Sequence, residues 1–164
     1  MTLQDYSKVE KAAGISRLEV GRLGLAILFI VGVMIYTGEQ YGHIEQSYLL
    51  IVAAVTGAYM AMNIGANDVA NNVGPAVGSL AMTLTTAIII AATFEAAGAI
   101  IAGGDVVSTV KNGIINPEDI GDPDVFVWVM MGALLGAAIW LNIATWSGAP
   151  VSTTHAIVGG VMGA

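Results

Sequence analysis

The sequence predicts an all-α membrane protein with about four transmembrane helices, followed by the start of a re-entrant helical hairpin. Two observations predict this fold class: 56% of the 164 residues are hydrophobic, and only 10% are charged. A soluble domain usually has about 25% charged residues. Because so few charged side chains cannot cover a surface that faces water, the surface is expected to face a lipid bilayer.

Composition and charge also exclude several classes of function. The sequence has no cysteine, so neither disulfide bonds nor a thiolate metal site can form. It has five Lys and Arg residues and a formal net charge of −7. No basic face follows the N-terminal tail, which argues against a nucleic-acid partner.

The first apolar run, Val20 to Tyr36, predicts a transmembrane helix over residues 20–37. Such a helix needs roughly 20 apolar residues, with about 17 as a lower limit. A secretory signal peptide is the alternative, but the run is long for a signal and no small-residue cleavage site follows it. Four of the five Lys and Arg residues lie before or at the start of this run, which predicts a cytoplasmic tail over residues 1–19.

Three further crossings are expected downstream. The second runs from about Tyr48 to about Ile64, the third from about Ser79 to about Ile101, and the fourth from Val125 to Trp146, with tryptophans towards its ends. Residues 105–124 contain six charged side chains and the turn pairs Asn-Pro and Asp-Pro, which predict an aqueous loop. A break at Ser147–Pro150 precedes a last apolar stretch. We expect the chain to end inside that element, as part of a longer protein.

The polar stretch Gly65–Ser79 lies between the second and third crossings and contains Asn67, Asp68, Asn71 and Asn72. An ionisable side chain at membrane depth costs roughly 2.5 to 3.5 kcal/mol on insertion scales. Three glycines and a proline around these residues predict a broken helix, whose carbonyl and side-chain oxygens would coordinate a hard cation. The alternative is a plain cytoplasmic loop, because Asn, Asp, Gly and Pro are common turn residues.

Glu95 is the next candidate, because it lies deep in an otherwise uncharged run. Intramembrane carboxylates are functional candidates by default, and the expected roles are cation coupling or proton relay. The alternative is a structural glutamate that is protonated or hydrogen-bonded to a neighbouring helix.

The segment Ser147–His155 is the third candidate. Pro150 suits the first turn of a helix, which would place Ser152, Thr153 and Thr154 in the opening turns. A helix N-terminus offers free N–H groups and positive dipole charge to an anion, and three hydroxyls add donors without adding charge. The alternative is an ordinary capped helix start whose hydroxyls bond to the local backbone.

His155 has three open roles: a hydrogen-bonded packing residue, a proton-coupling group or a ligand contact. One His without a second His or Cys at ligand spacing does not support a metal site. Ser152 and His155 also allow a rival function, a membrane-embedded serine hydrolase with Asp68 as the orienting residue, although no nucleophile-elbow pattern is present. A structural membrane subunit without transport activity is a further alternative.

Together these segments resemble the inorganic phosphate transporter (PiT) family. Gly65-Ala-Asn-Asp-Val-Ala-Asn71 is similar to the family signature, and Pro150-Val-Ser-Thr-Thr-His155 is similar to its second characteristic segment. Phe94-Glu95 lies between them, where the family has an intramembrane glutamate. The resemblance covers roughly residues 50–164, in the expected order and spacing.

The resemblance implies that residues 46–164 are the N-terminal repeat of an inverted-repeat transporter, truncated at its C-terminus, and that residues 20–37 are an extra helix. It implies cation-coupled transport of inorganic phosphate by alternating access rather than an enzymatic reaction. Sodium or protons would be the coupling ion, no other metal or cofactor is expected, and sulfate or another tetrahedral oxyanion is the alternative substrate.

The resemblance also implies partners and site residues. The expected partners are the lipid bilayer, a second repeat of the same protein and a second copy in a homodimer, and the expected location is the inner membrane of a bacterium. The residues assigned to substrate binding are Asn67, Asp68, Asn71, Ser152, Thr153 and Thr154, and those assigned to cation coupling are Asp68, Asn71 and Glu95.

Overall fold

The computed structural model describes residues 3–113 and 121–164, and this part of the chain contains helices but no strand. The helices are α1 (Leu3–Tyr41), α2 (Ser47–Gly78), α3 (Leu84–Gly113), α4 (Pro123–Ser147) and α5 (Thr153–Gly163). The prediction of an all-α fold is confirmed.

Four segments of these helices are long and apolar enough to cross a bilayer. They are Glu19–Tyr41, Ser47–Gly78, Leu84–Thr109 and Pro123–Ser147. Most side chains of α3 lie on the surface of the chain, as expected for a helix that contacts lipid or further protein. The number of predicted crossings is therefore confirmed.

The second crossing is longer than predicted, and the expected break within Gly65–Ser79 is wrong. Helix α2 continues to Gly78 through the whole Asn-Asp segment and includes Pro75. A helix satisfies its backbone hydrogen bonds internally, which a broken segment or a loop at membrane depth does not. The irregularity is local: Pro75 has no backbone N–H, so the Asn71 carbonyl loses its helical donor.

Two other boundaries also differ from the sequence-based expectation. Helix α3 begins at Leu84 rather than Ser79 and extends to Gly113, so Asp105 lies on a helix and not in a loop. A helix keeps its backbone hydrogen bonds where it extends beyond the hydrocarbon region of the bilayer. A charged residue therefore does not by itself end the helix. Residues 114–120 of the predicted aqueous loop lie outside the described part of the chain.

The predicted break after the fourth crossing is confirmed. Helix α4 begins after the N-cap Asp122, whose carboxylate accepts a hydrogen bond from the Asp124 N–H, and it ends at Gly148 in the left-handed conformation with φ of 69°. Glycine adopts this conformation without the Cβ clash of other residues. Pro150 lies before α5 rather than in its first turn, because Ser152 is the N-cap residue.

The described residues divide into two compact units, one ending at Ala58 and the other spanning Tyr59–Ala164. The second unit has a small core at which α2, α4 and α5 meet. Its buried residues are Met60, Ala137, Ala138 and Leu141, and Val151, Ala156 and Ile157 are among the side chains packed against them.

Helices α4 and α5 approach closely at Gly160. A Cβ atom there would lie 2.5 Å from the Ala133 carbonyl oxygen and 3.2 Å from the Ala137 Cβ, so the approach requires glycine. The pairs Gly132/Gly136 and Gly74/Gly78 have the four-residue spacing of glycines that favours close helix packing. A Cβ at any of these four positions would meet no atom within 4 Å in the described residues, so close packing there is not seen.

Candidate functional site

The Asn-Asp segment places two amides on one face of α2. Asn67 and Asn71 are four residues apart in a continuous helix, and the Asn71 Nδ2 donates a hydrogen bond of 2.9 Å to the Asn67 Oδ1. Asn67 is only 3% exposed, whereas Asn71 is exposed. The buried Asn67 side chain therefore helps to hold the Asn71 side chain in its orientation.

Asn71 also connects the first candidate segment to the third. Its Nδ2 donates a second hydrogen bond, 3.0 Å long, to the main-chain oxygen of Val151. Val151 immediately precedes Ser152, the N-cap residue of α5. The structure thus brings together two segments that lie 80 residues apart in the sequence.

The two hydrogen bonds from Asn71 determine what this side chain can offer to a ligand. A carboxamide has two N–H donors and one oxygen acceptor. Both donors of Asn71 are directed to the protein, to Asn67 and Val151. The Asn71 Oδ1 is the part of the group that remains for a ligand, and an oxygen acceptor suits a cation.

The N-terminus of α5 places three hydroxyl side chains beside the first main-chain N–H groups of the helix. The Ser152 Oγ accepts a hydrogen bond from the His155 N–H at 3.3 Å and lies 2.8 Å from the His155 Nδ1. Thr153 and Thr154 occupy the first two helical positions, Thr153 half-buried and Thr154 exposed. In the described part of the chain neither threonine hydroxyl has a protein partner, so both can donate.

Helix α4 and the start of α5 form a groove of about 570 Å³. Ser152 and His155 line it from α5, and Gly136 and Trp140 line it from α4. Neither a carboxylate nor a Lys or Arg side chain is among the residues that line this groove. The groove leaves the start of α5 open to the surface of the described residues.

Asp68 and Asn72 lie beside these contacts without taking part in them. Asp68 is half-buried, and Asn72 is exposed. In the segments that the structure describes, no hydrogen bond joins either side chain to Asn67, Asn71 or the α5 N-terminus. Asp68 is on the turn of α2 that precedes Asn71, so its carboxylate is near the two amides in sequence and along the helix.

Glu95 is not brought into this cluster. It lies midway along α3 and is exposed, next to Phe94, which is 73% exposed. Among the described residues its carboxylate has no hydrogen-bond partner. The alternative of a glutamate bonded to a neighbouring helix is therefore not seen within residues 3–113 and 121–164.

One buried polar contact was not foreseen from the sequence. The Asn142 Nδ2 on α4 donates a hydrogen bond of 3.0 Å to the Asn63 Oδ1 on α2, and the Asn63 Nδ2 donates to the Tyr59 carbonyl at 2.8 Å. Asn63 is 6% exposed. The available signal was the spacing of Asn63, Asn67 and Asn71 at four-residue intervals, which places three amides on one face of a helix.

Residues 64–164 match the model of the phosphate transporter family. The chain is 51% identical over 164 residues, all of its length, to a Helicobacter pylori (strain J99) protein named "putative phosphate permease". Proteins with the same description in Haemophilus influenzae and Pyrococcus abyssi are 48% identical over 126 residues and 49% identical over 114 residues, or 76% and 70% of this chain. No solved structure matches the chain.

The chain spans about a third of the length of the curated relatives it matches, 31% of the Helicobacter pylori protein and 29% and 28% of the other two. The Helicobacter pylori alignment includes the first helix, which the sequence suggested to be an addition upstream of the recognisable region. The family model covers both motif segments and Glu95. With four helices able to span a bilayer in its described residues, this chain belongs to the phosphate transporter family of integral membrane proteins.

Proposed function

We propose that the protein carries inorganic phosphate across the membrane together with a sodium ion or a proton, by alternating access. The single observation that best supports this function is the hydrogen bond from Asn71 to the Val151 oxygen. This hydrogen bond joins the Asn-Asp segment of α2, which is rich in oxygen acceptors, to the start of α5, which is rich in hydrogen-bond donors. A cation and an anion can then bind side by side.

The cation side of the proposed site consists of oxygens on α2. Asn71 offers its Oδ1, because its two N–H groups are directed to Asn67 and Val151. The main-chain carbonyl of Asn71 also lacks its helical hydrogen bond, because Pro75 has no N–H to donate. Asp68 contributes a negative charge one turn earlier. Carbonyl and carboxylate oxygens are the ligands that hard cations prefer, and Asn67 acts as the buried support.

The anion side consists of the α5 N-terminus. Ser152, Thr153 and Thr154 provide hydroxyl donors, and the first N–H groups of the helix and its dipole favour negative charge. Neither Lys nor Arg occurs in α5 or in residues 148–152. A neutral donor set of this kind holds an oxyanion and also releases it, which transport requires.

Cation and phosphate would bind cooperatively. An unpaired carboxylate at Asp68 repels a phosphate anion, and a bound cation removes that repulsion. By linkage, phosphate increases the affinity for the cation by the same factor, typically 5- to 150-fold for coupled sites. Glu95, on a helix outside the cluster, would act on cation movement rather than on phosphate contact.

The proposal extends to parts of the protein that this chain does not contain. A second, inverted repeat would complete the site, and α5 would be the first arm of a re-entrant hairpin. The excess of Lys and Arg before the first crossing supports a cytoplasmic N-terminus, in the inner membrane of a bacterium. A second copy of the protein would be a partner in a homodimer.

Uptake by proteoliposomes tests the function. The complete gene product is reconstituted, and entry of labelled phosphate is measured with a sodium gradient, with a proton gradient and with neither. We expect one gradient to drive accumulation, and excess unlabelled sulfate to leave it unchanged. Lack of stimulation by both gradients would refute cation-coupled transport, and full competition by sulfate would assign another oxyanion.

Replacing Asp68 by Asn tests the cation side. This change keeps the volume of the side chain and removes its charge. We expect gradient-driven uptake to fall to the level of protein-free vesicles, with normal yield of folded protein. Asn72→Ala, which alters an exposed side chain in the same helix, is the matched control and should retain uptake. Wild-type uptake by the Asp68 variant would remove this carboxylate from the site.

A second candidate function, hydrolysis with Ser152 as nucleophile and His155 as base, is favoured by the distance of 2.8 Å between their side chains. A triad also needs a group that orients the base. In the described part of the chain, the His155 ring bonds to Ser152 and to no carboxylate. Labelling of Ser152 by a serine-directed reagent, together with loss of an esterase activity, would favour hydrolysis over transport.

A further inference from the structure

The side chain of His155 lies within hydrogen-bonding distance of the Ser152 hydroxyl. The Ser152 Oγ already accepts a hydrogen bond from the His155 main-chain N–H, and the His155 Nδ1 lies 2.8 Å from the same oxygen. A hydroxyl has one hydrogen and two lone pairs. The direction of the second hydrogen bond therefore decides whether this hydrogen is available to a ligand.

Two arrangements satisfy the observed distances. When Nδ1 carries no proton, the Ser152 hydroxyl donates to it, and the hydroxyl hydrogen is unavailable to an anion. When Nδ1 carries a proton, the ring donates to the Ser152 Oγ, both lone pairs are occupied, and the hydroxyl hydrogen is free. In the imidazolium form Nδ1 always carries a proton, so protonation of the ring selects the second arrangement.

We propose that His155 is a positioning residue of the phosphate site: its protonation reverses the hydrogen bond with Ser152 and frees the Ser152 hydroxyl to donate to a phosphate oxygen. This inference rests on the proposed function and deepens it, because it states how protons regulate the site. It requires no direct contact between His155 and phosphate.

The surroundings of His155 permit such a response to pH. His155 is exposed and lines the groove between α4 and α5. Helix α4 contributes Gly136, Ala137 and Trp140 to this groove, and its one ionisable residue, Asp124, is at its far end. Helix α2, which packs against α5 in the core, has Asp68 and the phenol Tyr59 in this unit. Among the described residues, Asp68 forms no hydrogen bond with the His155 ring.

The sign of the effect follows from the hydrogen-bond exchange. Phosphate binds better when the Ser152 hydrogen is free, and protonated His155 frees it. Affinity is therefore higher when the His155 ring is protonated than when it is neutral, so it decreases as pH rises. By linkage, bound phosphate favours proton uptake by His155 to the same extent.

An equilibrium-exchange assay measures the effect of pH on phosphate affinity in the absence of an ion gradient that drives net uptake. The complete gene product is reconstituted, both sides of the vesicles have the same pH, sodium and phosphate concentrations, and exchange of labelled inorganic phosphate is measured. The half-saturating phosphate concentration at about pH 8, divided by that at about pH 6, gives a pH ratio. Titration of phosphate itself contributes equally to wild type and variants, so differences between their pH ratios report on the protein.

His155→Gln removes the titrating ring and keeps a residue that is favourable at the third position of a helix. We expect its pH ratio to be about fivefold smaller than that of wild type, the lower end of typical coupling between sites. His43→Gln, the same change in the exposed turn between α1 and α2, is the control and should keep the wild-type ratio. Equal ratios for the wild type and His155→Gln would overturn the proposal.

Ser152→Ala separates the hydrogen-bond exchange from a simple effect of charge. This variant keeps His155 and loses the hydroxyl, so its pH ratio should fall to that of His155→Gln. A Ser152→Ala protein with the wild-type ratio would show that His155 acts through its charge alone and would overturn the proposal. Absence of saturable exchange in the wild type at either pH is a different failure, because it would refute phosphate transport itself.

Discussion

Asn71 on α2 holds the main chain at Val151, 80 residues away, by a hydrogen bond of 3.0 Å from its side-chain amide. Val151 precedes the N-cap of α5, so this bond positions the donors of that helix relative to the oxygens of α2. A second N–H of the same amide is held by the buried Asn67. One side chain therefore links the two motif segments directly, in addition to the apolar core at which α2, α4 and α5 meet.

Replacing Asn71 by Ala should lower phosphate uptake about tenfold. The change removes both hydrogen bonds and leaves the Oδ1 of the buried Asn67 without its partner. An unsatisfied buried acceptor costs roughly 1 to 3 kcal/mol, about tenfold for each 1.4 kcal/mol. Phosphate uptake into proteoliposomes, compared at equal amounts of folded protein, measures this loss. The neighbouring Asn72→Ala change, on an exposed side chain, should have little effect. Equal uptake by the two variants would contradict the assigned role.

The Asn63–Asn142 contact should contribute measurably to stability. A double-mutant cycle with Asn63→Ala and Asn142→Ala, followed by unfolding in detergent mixtures, gives the coupling free energy. Side-chain hydrogen bonds in membrane proteins average about 0.6 kcal/mol, with about 1.7 as the upper value, and we expect a result in that range. The pair Asn63→Ala and Asn72→Ala should be additive. A coupling near zero for Asn63 and Asn142 would show that other partners replace the bond.

Substitution of Gly160 should separate α4 from α5. A Cβ at this position would lie 2.5 Å from the Ala133 oxygen, and overpacking of this kind typically costs about 1 to 3 kcal/mol. The unfolding midpoint of the Gly160→Ala protein in detergent mixtures measures this loss of stability. Gly159→Ala is a matched control, since a Cβ there meets no atom within 4 Å, and it should be neutral or slightly stabilising. A stable Gly160 variant would argue against the close helix approach.

Glu95→Gln should abolish gradient-driven uptake and leave folding unchanged. Glu95 is exposed on α3, so this chain provides no packing that its substitution would disturb. Folded yield and thermal unfolding test the second expectation, and proteoliposome uptake tests the first. Glu95→Asp keeps the charge and should retain part of the activity. Lower stability with normal specific uptake would instead assign a structural role to the glutamate.

The apolar runs predict the crossings well, because any helix in lipid needs about 20 apolar residues. Gly148 and Pro150 likewise predict the break before α5. The sequence misleads at Gly65–Ser79, because Gly, Pro and Asn favour turns in water, whereas α2 continues to Gly78. In a bilayer the need to satisfy the backbone outweighs these preferences.

The long-range contacts among the candidate site residues could not be predicted from the sequence. The motif residues Asn71 and Ser152 follow from the sequence, and so does the proximity of Ser152 to His155, three positions later. The bond from Asn71 to Val151 and the pair Asn63–Asn142 join residues 80 and 79 positions apart. No local pattern specifies contacts over such distances, because they depend on how whole helices pack.

The long separation between Asn71 and Val151 has a consequence for biosynthesis. A ribosome adds about 5 to 20 residues per second, so roughly 4 to 16 s pass between the synthesis of α2 and that of its partner turn. During that interval α2 presents the amides of Asn63 and Asn71 without their later partners. Synthesis of α4 and the following turn then completes two hydrogen bonds that α2 cannot make alone.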